Sequence, residues 1–180
     1  MQVKYAGGDW GEMSRLICLF LGVFLTTACG ATDDIHLHYN GHNFSVPASP
    51  SVIASPGVKE NMLILRYGSE RGKRYIGFSD INADQSLRLG CASSDFFAAV
   101  FAGGDGSGCD VEQVTAFKKT FVKDRETGSW LTEEMTVYYS IGNDLSFLFV
   151  FDKENTAIKI DSDFLSKEKL KRVAVSAESE

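Results

Sequence analysis

The chain has 180 residues and 19.7 kDa, with 44% hydrophobic and 23% charged residues, the composition of a globular domain and not of a disordered or collagen-like chain. Its 18 Lys+Arg against 24 Asp+Glu give a formal net charge of −6 with no block of five basic residues, so binding to a phosphate backbone has no electrostatic footprint and nucleic acid is not an expected partner. One apolar run lies near the N-terminus, Leu16 to Ala28; its 13 residues fall short of the roughly 20 that span hydrocarbon as a helix, which excludes a multi-pass membrane protein.

From Met13 the order is Met13-Ser14-Arg15, ten apolar or small residues to Leu25, then Thr26-Thr27-Ala28-Cys29-Gly30. A short basic start, an apolar stretch and a small-residue end are the three parts of a secretory signal. The segment Leu25 to Cys29 resembles the lipobox of bacterial lipoproteins: a small residue, Ala28, precedes the cysteine. Three positions before it this chain carries Thr26 where the family usually has Leu. The resemblance implies cleavage before Cys29, diacylglycerol on its sulfur, and 1–28 as signal peptide. Asp9 and Glu12 do not suit a positive n-region, so Met13 is the expected start of translation. Gly30 after the cysteine, again by resemblance to Gram-negative lipoproteins, implies an outer-membrane address facing the periplasm. Acyl chains contribute ~0.8 kcal/mol per buried CH₂, and two chains already give stable attachment. The organisation expected is therefore signal 1–28, lipid anchor and tether 29–34, and one periplasmic domain, 35–180.

Cys18 leaves with the signal and Cys29 takes lipid, so the mature body retains one pair, Cys91 and Cys109. An oxidising periplasm favours joining them, and closing a loop of this length is worth about 3 kcal/mol in chain entropy. A metal or redox couple is the alternative, but the spacing is neither C-x-x-C nor a zinc pattern.

In chain order, Ile35–Tyr39 and His42–Val46 flank Asn40-Gly41, a strong two-residue hairpin signal. All three prolines fall in Pro47–Gly57, read as a connector without regular structure. Met62–Tyr67 and Arg74–Phe78 predict a second hairpin over Gly68–Lys73. Ser94 is the expected cap of a short helix, Asp95–Ala102, inside the cysteine loop, with Gly103 as its stop. Val111–Lys123 fits both a helical stripe and one strand face, with strand from Ala116 preferred. Trp130–Ile141, Leu145–Phe151 and Ala157–Ile160 read as a meander, and the nearly all-apolar Leu145–Phe151 as a central strand covered on both faces. Asp163–Val175 predicts an amphipathic helix with Phe164, Leu165, Leu170 and Val173 inward, and the residues after it fray. The fold class expected is α+β: mainly antiparallel sheet, a short disulfide-stapled helix and a C-terminal amphipathic helix.

All three histidines lie in His36-x-His38-x3-His42. A two-residue turn pairs Tyr39 with His42, Leu37 with Phe44 and Ile35 with Val46, which puts His42 on the apolar face and His36 and His38 on the polar one. At most two converge, so His36 and His38 are weak metal candidates beside the reading as a solvated hairpin face. Gly103–Gly108 resembles a phosphate cradle in composition alone, since no Lys-Ser/Thr follows; it reads as an exposed loop that could serve as a contact surface. Hydrolase signatures are absent. Glu133 and Glu134, adjacent in a strand, point to opposite faces and share no proton. Lys118, Lys119, Lys123 and Arg125 form one basic island and Lys167 to Arg172 another, both read as solvated faces.

No catalytic residue and no cofactor emerges, and the expectation is a binding protein, not an enzyme. In address, size and acidic charge the chain resembles periplasmic immunity lipoproteins that neutralise secreted antibacterial effectors. That resemblance implies a membrane contact through the N-terminal lipid and a toxin as protein partner. The alternatives are an envelope-assembly lipoprotein and a metal binder using His36 and His38.

Overall fold

The computed structural model describes residues 34–55, 61–82, 87–154, 156–176 and 178–179. The chain divides into Met1–Thr32 and one compact unit, Asp33–Glu180; the signal segment 1–28, Cys29 and the tether up to residue 33 lie outside the described residues. The unit is α+β with mostly antiparallel sheet.

It opens with β1 (Asp34–Tyr39) and β2 (His42–Pro47). Asn40 and Gly41 take φ of 50° and 80°, the left-handed pair that lets a two-residue turn follow strand twist. The register is Tyr39↔His42, Leu37↔Phe44, Ile35↔Val46, as the sequence predicts, and His42, Phe44 and Val46 are buried. The chain end does not simply fray: Glu178–Ser179 (β10) pairs with β2, making a three-stranded sheet β1-β2-β10. The Ser176 hydroxyl accepts from Ser45 N–H at 2.8 Å and donates to Val173 O at 2.8 Å, so the tail is steered onto an edge of β2 that would otherwise be open.

Seven further strands form an antiparallel sheet in the order β3-β4-β5-β9-β8-β7-β6: β3 (Val52–Ala54), β4 (Met62–Arg66), β5 (Tyr75–Asp80), β6 (Glu126–Leu131), β7 (Met135–Ile141), β8 (Ser146–Asp152) and β9 (Ala157–Ser162). Two expectations are corrected. The proline-rich connector holds β3, short enough to fit between Pro50 and Pro56 because its partner β4 supplies the pairing. Trp130–Ile141 is two strands: the Thr132 hydroxyl accepts from Glu134 N–H at 3.3 Å and Met135 N–H at 2.9 Å and closes a turn. Glu133 and Glu134 therefore stand in that turn and not in a strand, and Lys153 pairs with Glu134 at 3.1 Å. Strand β8 lies between β9 and β7 and is covered on both faces. Its Leu148 and Val150 face one apolar cluster, and its Phe149 and Phe151 face the other.

The helices are α1 (Ser93–Phe101), α2 (Val111–Phe121) and α3 (Lys167–Val175). The preference for strand from Ala116 is overturned. Asp110 caps α2 by accepting from Gln113 N–H at 3.0 Å, and Phe117 meets Phe96 and Phe97 edge-on at 5.1 and 5.7 Å, so the helical stripe wins through tertiary packing. Helix α1 begins at Ser93 after Ala92, with no side-chain cap from Ser94. Helix α3 begins only at Lys167, capped by Ser166, because the Asp163 carboxylate instead accepts from Arg74 N–H at 2.8 Å and Tyr75 N–H at 2.9 Å and fixes the start of β5. One face of the sheet packs on β1–β2 and α3 around Phe44, Phe78, Leu148 and Leu170; the other packs on α1 and α2 around Phe97, Phe149 and Phe151.

Candidate functional site

The hairpin separates the three histidines as the register demands. His36 and His38 are exposed on the outer strand, and His38 Nδ1 sits 3.2 Å from Asn43 Oδ1. His42 faces the core at 4% exposure, with Nε2 3.1 Å from Asp152 Oδ2. The other Asp152 oxygen accepts from Glu154 N–H at 2.8 Å and Thr156 N–H at 2.7 Å. This carboxylate therefore ties the β8–β9 turn to the hairpin, while His42 Nδ1 is buried and has no partner among the described residues. Among the described residues no cluster of three or more His, Cys, Asp or Glu could hold a metal.

Cys91 and Cys109 are joined in a disulfide with Cα atoms 4.6 Å apart. The bridge brackets α1, and Asp110 N–H donates to Leu89 O at 2.8 Å beside it. Gly90, at φ +77°, is held there by necessity: a Cβ would come within 2.7 Å of Asp110 N. In the glycine-rich loop, Asp105 accepts from Ser107 N–H at 2.6 Å, so the loop turns on itself and carries no cation.

Each basic island divides between structure and solvent. Arg125 is not on a solvated face. Its Nε donates to Ser140 Oγ at 2.5 Å, its Nη2 donates to Leu145 O, and it covers the Phe147 ring at 5.2 Å; burial pulls its pKa below the ordinary guanidinium value. Lys167 pairs with Glu126 at 2.5 Å and covers Tyr139, which stacks at 4.5 Å on Trp130. The hydrogen bond that Lys167 donates to the Glu126 carboxylate holds its ammonium above the usual range. Lys118, Lys119 and Lys123 are exposed.

What composition did not reveal is the far end of the sheet. Helices α1 and α2 pack over β7 and β8, where Phe97 meets Phe149 at 4.6 Å and Phe121 meets Phe147 at 4.9 Å. On the same sheet face two cross-strand rows continue outward: Ala54–Ile64–Gly77–Asp161 and Val52–Arg66–Tyr75. Directly opposed residues share a face, and Ile64 joins neither apolar cluster. Asp161 pairs with Lys159 at 3.2 Å and accepts from the Tyr75 hydroxyl, whose pKa burial and this carboxylate push upward. Gly77 is the floor, since a Cβ there would meet the Asp161 carboxylate at 3.2 Å. Arg66 has a buried Nε without a partner, and no carboxylate pairs with its guanidinium among the described residues. Beyond it β3 is exposed along its whole length, with Val52 at 38% and Ile53 at 60%. The sequence signal for this end was a run from Ile35 to Val58 with no Asp, Glu, Lys or Arg, in a chain 23% charged.

No family model matches the chain, and no curated protein or solved structure is similar to it. Among the described residues no helix is long and apolar enough to cross a membrane.

Proposed function

We propose that the protein is an outer-membrane lipoprotein, anchored through Cys29, whose periplasmic body binds another protein, and that this partner is a secreted antibacterial effector which the body neutralises by covering its working surface. In this reading the disulfide-stapled α1 and the amphipathic α3 brace the β6–β7–β8 side of the sheet. The observation that carries it is the apolar surface at both ends of the large sheet: Ile53 on β3 at 60% exposure and Leu131 on β6 at 75%. Side chains held out on rigid strands lose little further freedom when a partner covers them, which is what an occluding surface needs.

The test is a contact-dependent competition on a solid surface between a deletion strain and its parent, with the gene restored in a third strain. The deletion strain is expected to be killed and the restored strain spared. Equal survival while the parent's secretion systems are active would overturn the effector reading. The anchor is checked separately by mass: Cys29→Ala should abolish both signal cleavage and acyl chains, and unchanged processing would remove the lipoprotein assignment.

A further inference from the structure

We infer that β3 and Arg66 form a docking slot for an extended segment of the protein partner that carries one carboxylate side chain. The inference rests on the protein-binding reading and names where on the body and by what chemistry the partner is held. Tyr67 N–H donates to Arg74 O on the β5 side at 2.7 Å, so by the alternation of an extended strand Arg66 and Ile64 turn their N–H and C=O groups to Val52 and Ala54, and the N–H and C=O of Ile53 point outward, away from β4. No described strand lies beside them. A partner strand added there would gain main-chain hydrogen bonds, with specificity left to side chains on alternate positions.

Three features select this edge. Charged side chains commonly guard sheet edges against pairing. The outer strand β1 carries Asp34, His36 and His38, and β6 carries Glu126 beside a turn with Glu133 and Glu134. Strand β3 carries Val-Ile-Ala alone, inside the charge-free run. Next, β3 is only three residues long and follows Pro50, which lacks an N–H group, so the slot accepts a short segment and does not template open-ended pairing. Finally, Arg66 sits opposite Val52 on the same face. A docked strand would run about 10 Å from β4, two strand spacings away, so a Glu or Asp reaching inward from it and Arg66 reaching outward meet above Val52. On a body of net charge −6, a half-buried guanidinium with its neighbouring carboxylate already committed to Lys159 and Tyr75 is the group that recognises an acid.

A phage-displayed library of random heptapeptides selected against the purified full chain, disulfide intact, tests this. Enriched peptides should alternate apolar residues around one acidic position. Arg66→Glu should weaken them ten-fold or more and, in a fresh selection, enrich Lys or Arg at that same position. Ile53→Pro, which removes the one outward N–H of β3, should weaken every selected peptide ten-fold or more while the urea midpoint of the variant stays within error of the parent. Enrichment of acid-free sequences, no enrichment above a blank surface, or binding indifferent to both substitutions would overturn the slot. So would a dimer in analytical ultracentrifugation that Ile53→Asp makes monomeric, since the occupant would then be a second copy. An effector that binds the Arg66→Glu and Ile53→Pro variants as tightly as the parent would remove the slot and leave the protein-binding reading standing.

Discussion

Asp152 does more for the fold than its position at a strand end suggests. One carboxylate satisfies His42 Nε2 and two turn N–H groups, and at 14% side-chain exposure it has little water to fall back on. Asp152→Ala leaves three donors unpaired and should lower unfolding stability in urea by about 2–4 kcal/mol. His42→Leu removes a partner but also removes the buried Nδ1 that nothing satisfies, so its cost should stay within about 1 kcal/mol. If the two variants were equally damaged, the carboxylate would not be the organising group. That His42 faces the core was legible from the Asn40-Gly41 turn alone. Its partner was not, because the two residues stand 110 positions apart and no local pattern links them. Gly90 is a second such residue. Gly90→Ala must place a Cβ 2.7 Å from Asp110 N at φ +77°, and left-handed backbone alone costs a non-glycine residue roughly 1–2 kcal/mol. A loss of about 2 kcal/mol or more is expected with the disulfide still formed, as checked by thiol titration alongside the urea curve.

At the scale of elements, the α1–α2 layer shows where pattern reading stops. In α2, Val114, Phe117 and Phe121 are only half buried and no residue is fully buried, so the stripe is narrow and a strand face fits it nearly as well. What decides for helix is non-local: the Asp110 cap follows the disulfide, and Phe96 and Phe97 of α1 supply the surface. The same logic hid β3, whose three residues become a strand only beside β4. By contrast β8 announced itself, since a run apolar at every position must be covered on both faces. The bridge between Cys91 and Cys109, with a sequence separation of 18, should contribute about 3 kcal/mol by restricting the unfolded chain. Replacing both cysteines by serine should lower the urea stability by that amount. Adding reductant to the parent should reproduce it, and adding reductant to the double variant should change nothing. A double variant as stable as the parent would mean that helix packing alone holds the layer.

For the molecule as a whole, alkali offers a test of how the layers depend on one another, because phenols from separate parts of the chain are held neutral by the same burial. Tyr39 on β1 and Tyr67 after β4 are each pushed up to about 12 from an ordinary 10, mainly by burial, with Asp80 and Asp34 respectively adding repulsion. Burial also raises Tyr75 on β5 and Tyr138 on β7. Tyr67 donates its hydroxyl to Pro47 O at 2.8 Å and Tyr39 donates to Asn61 O, so ionising either removes a bond between the hairpin side and the large sheet. A phenol whose folded pKa lies above its unfolded value stabilises the fold fully below the unfolded value, and that contribution is lost as pH rises through the folded one. The urea midpoint should therefore be level from pH 8 to about 10 and fall steeply towards about 12. Phenolate absorbance should appear together with loss of ellipticity, not ahead of it. Tyr39→Phe combined with Tyr67→Phe should make the fall shallower, since two of the titrating groups are gone and the rings remain. A midpoint that holds flat to pH 11.5 would show that the hairpin and the large sheet do not depend on these phenols for their union, and that Phe44 and Phe78, 5.1 Å apart between them, hold the two together without polar help.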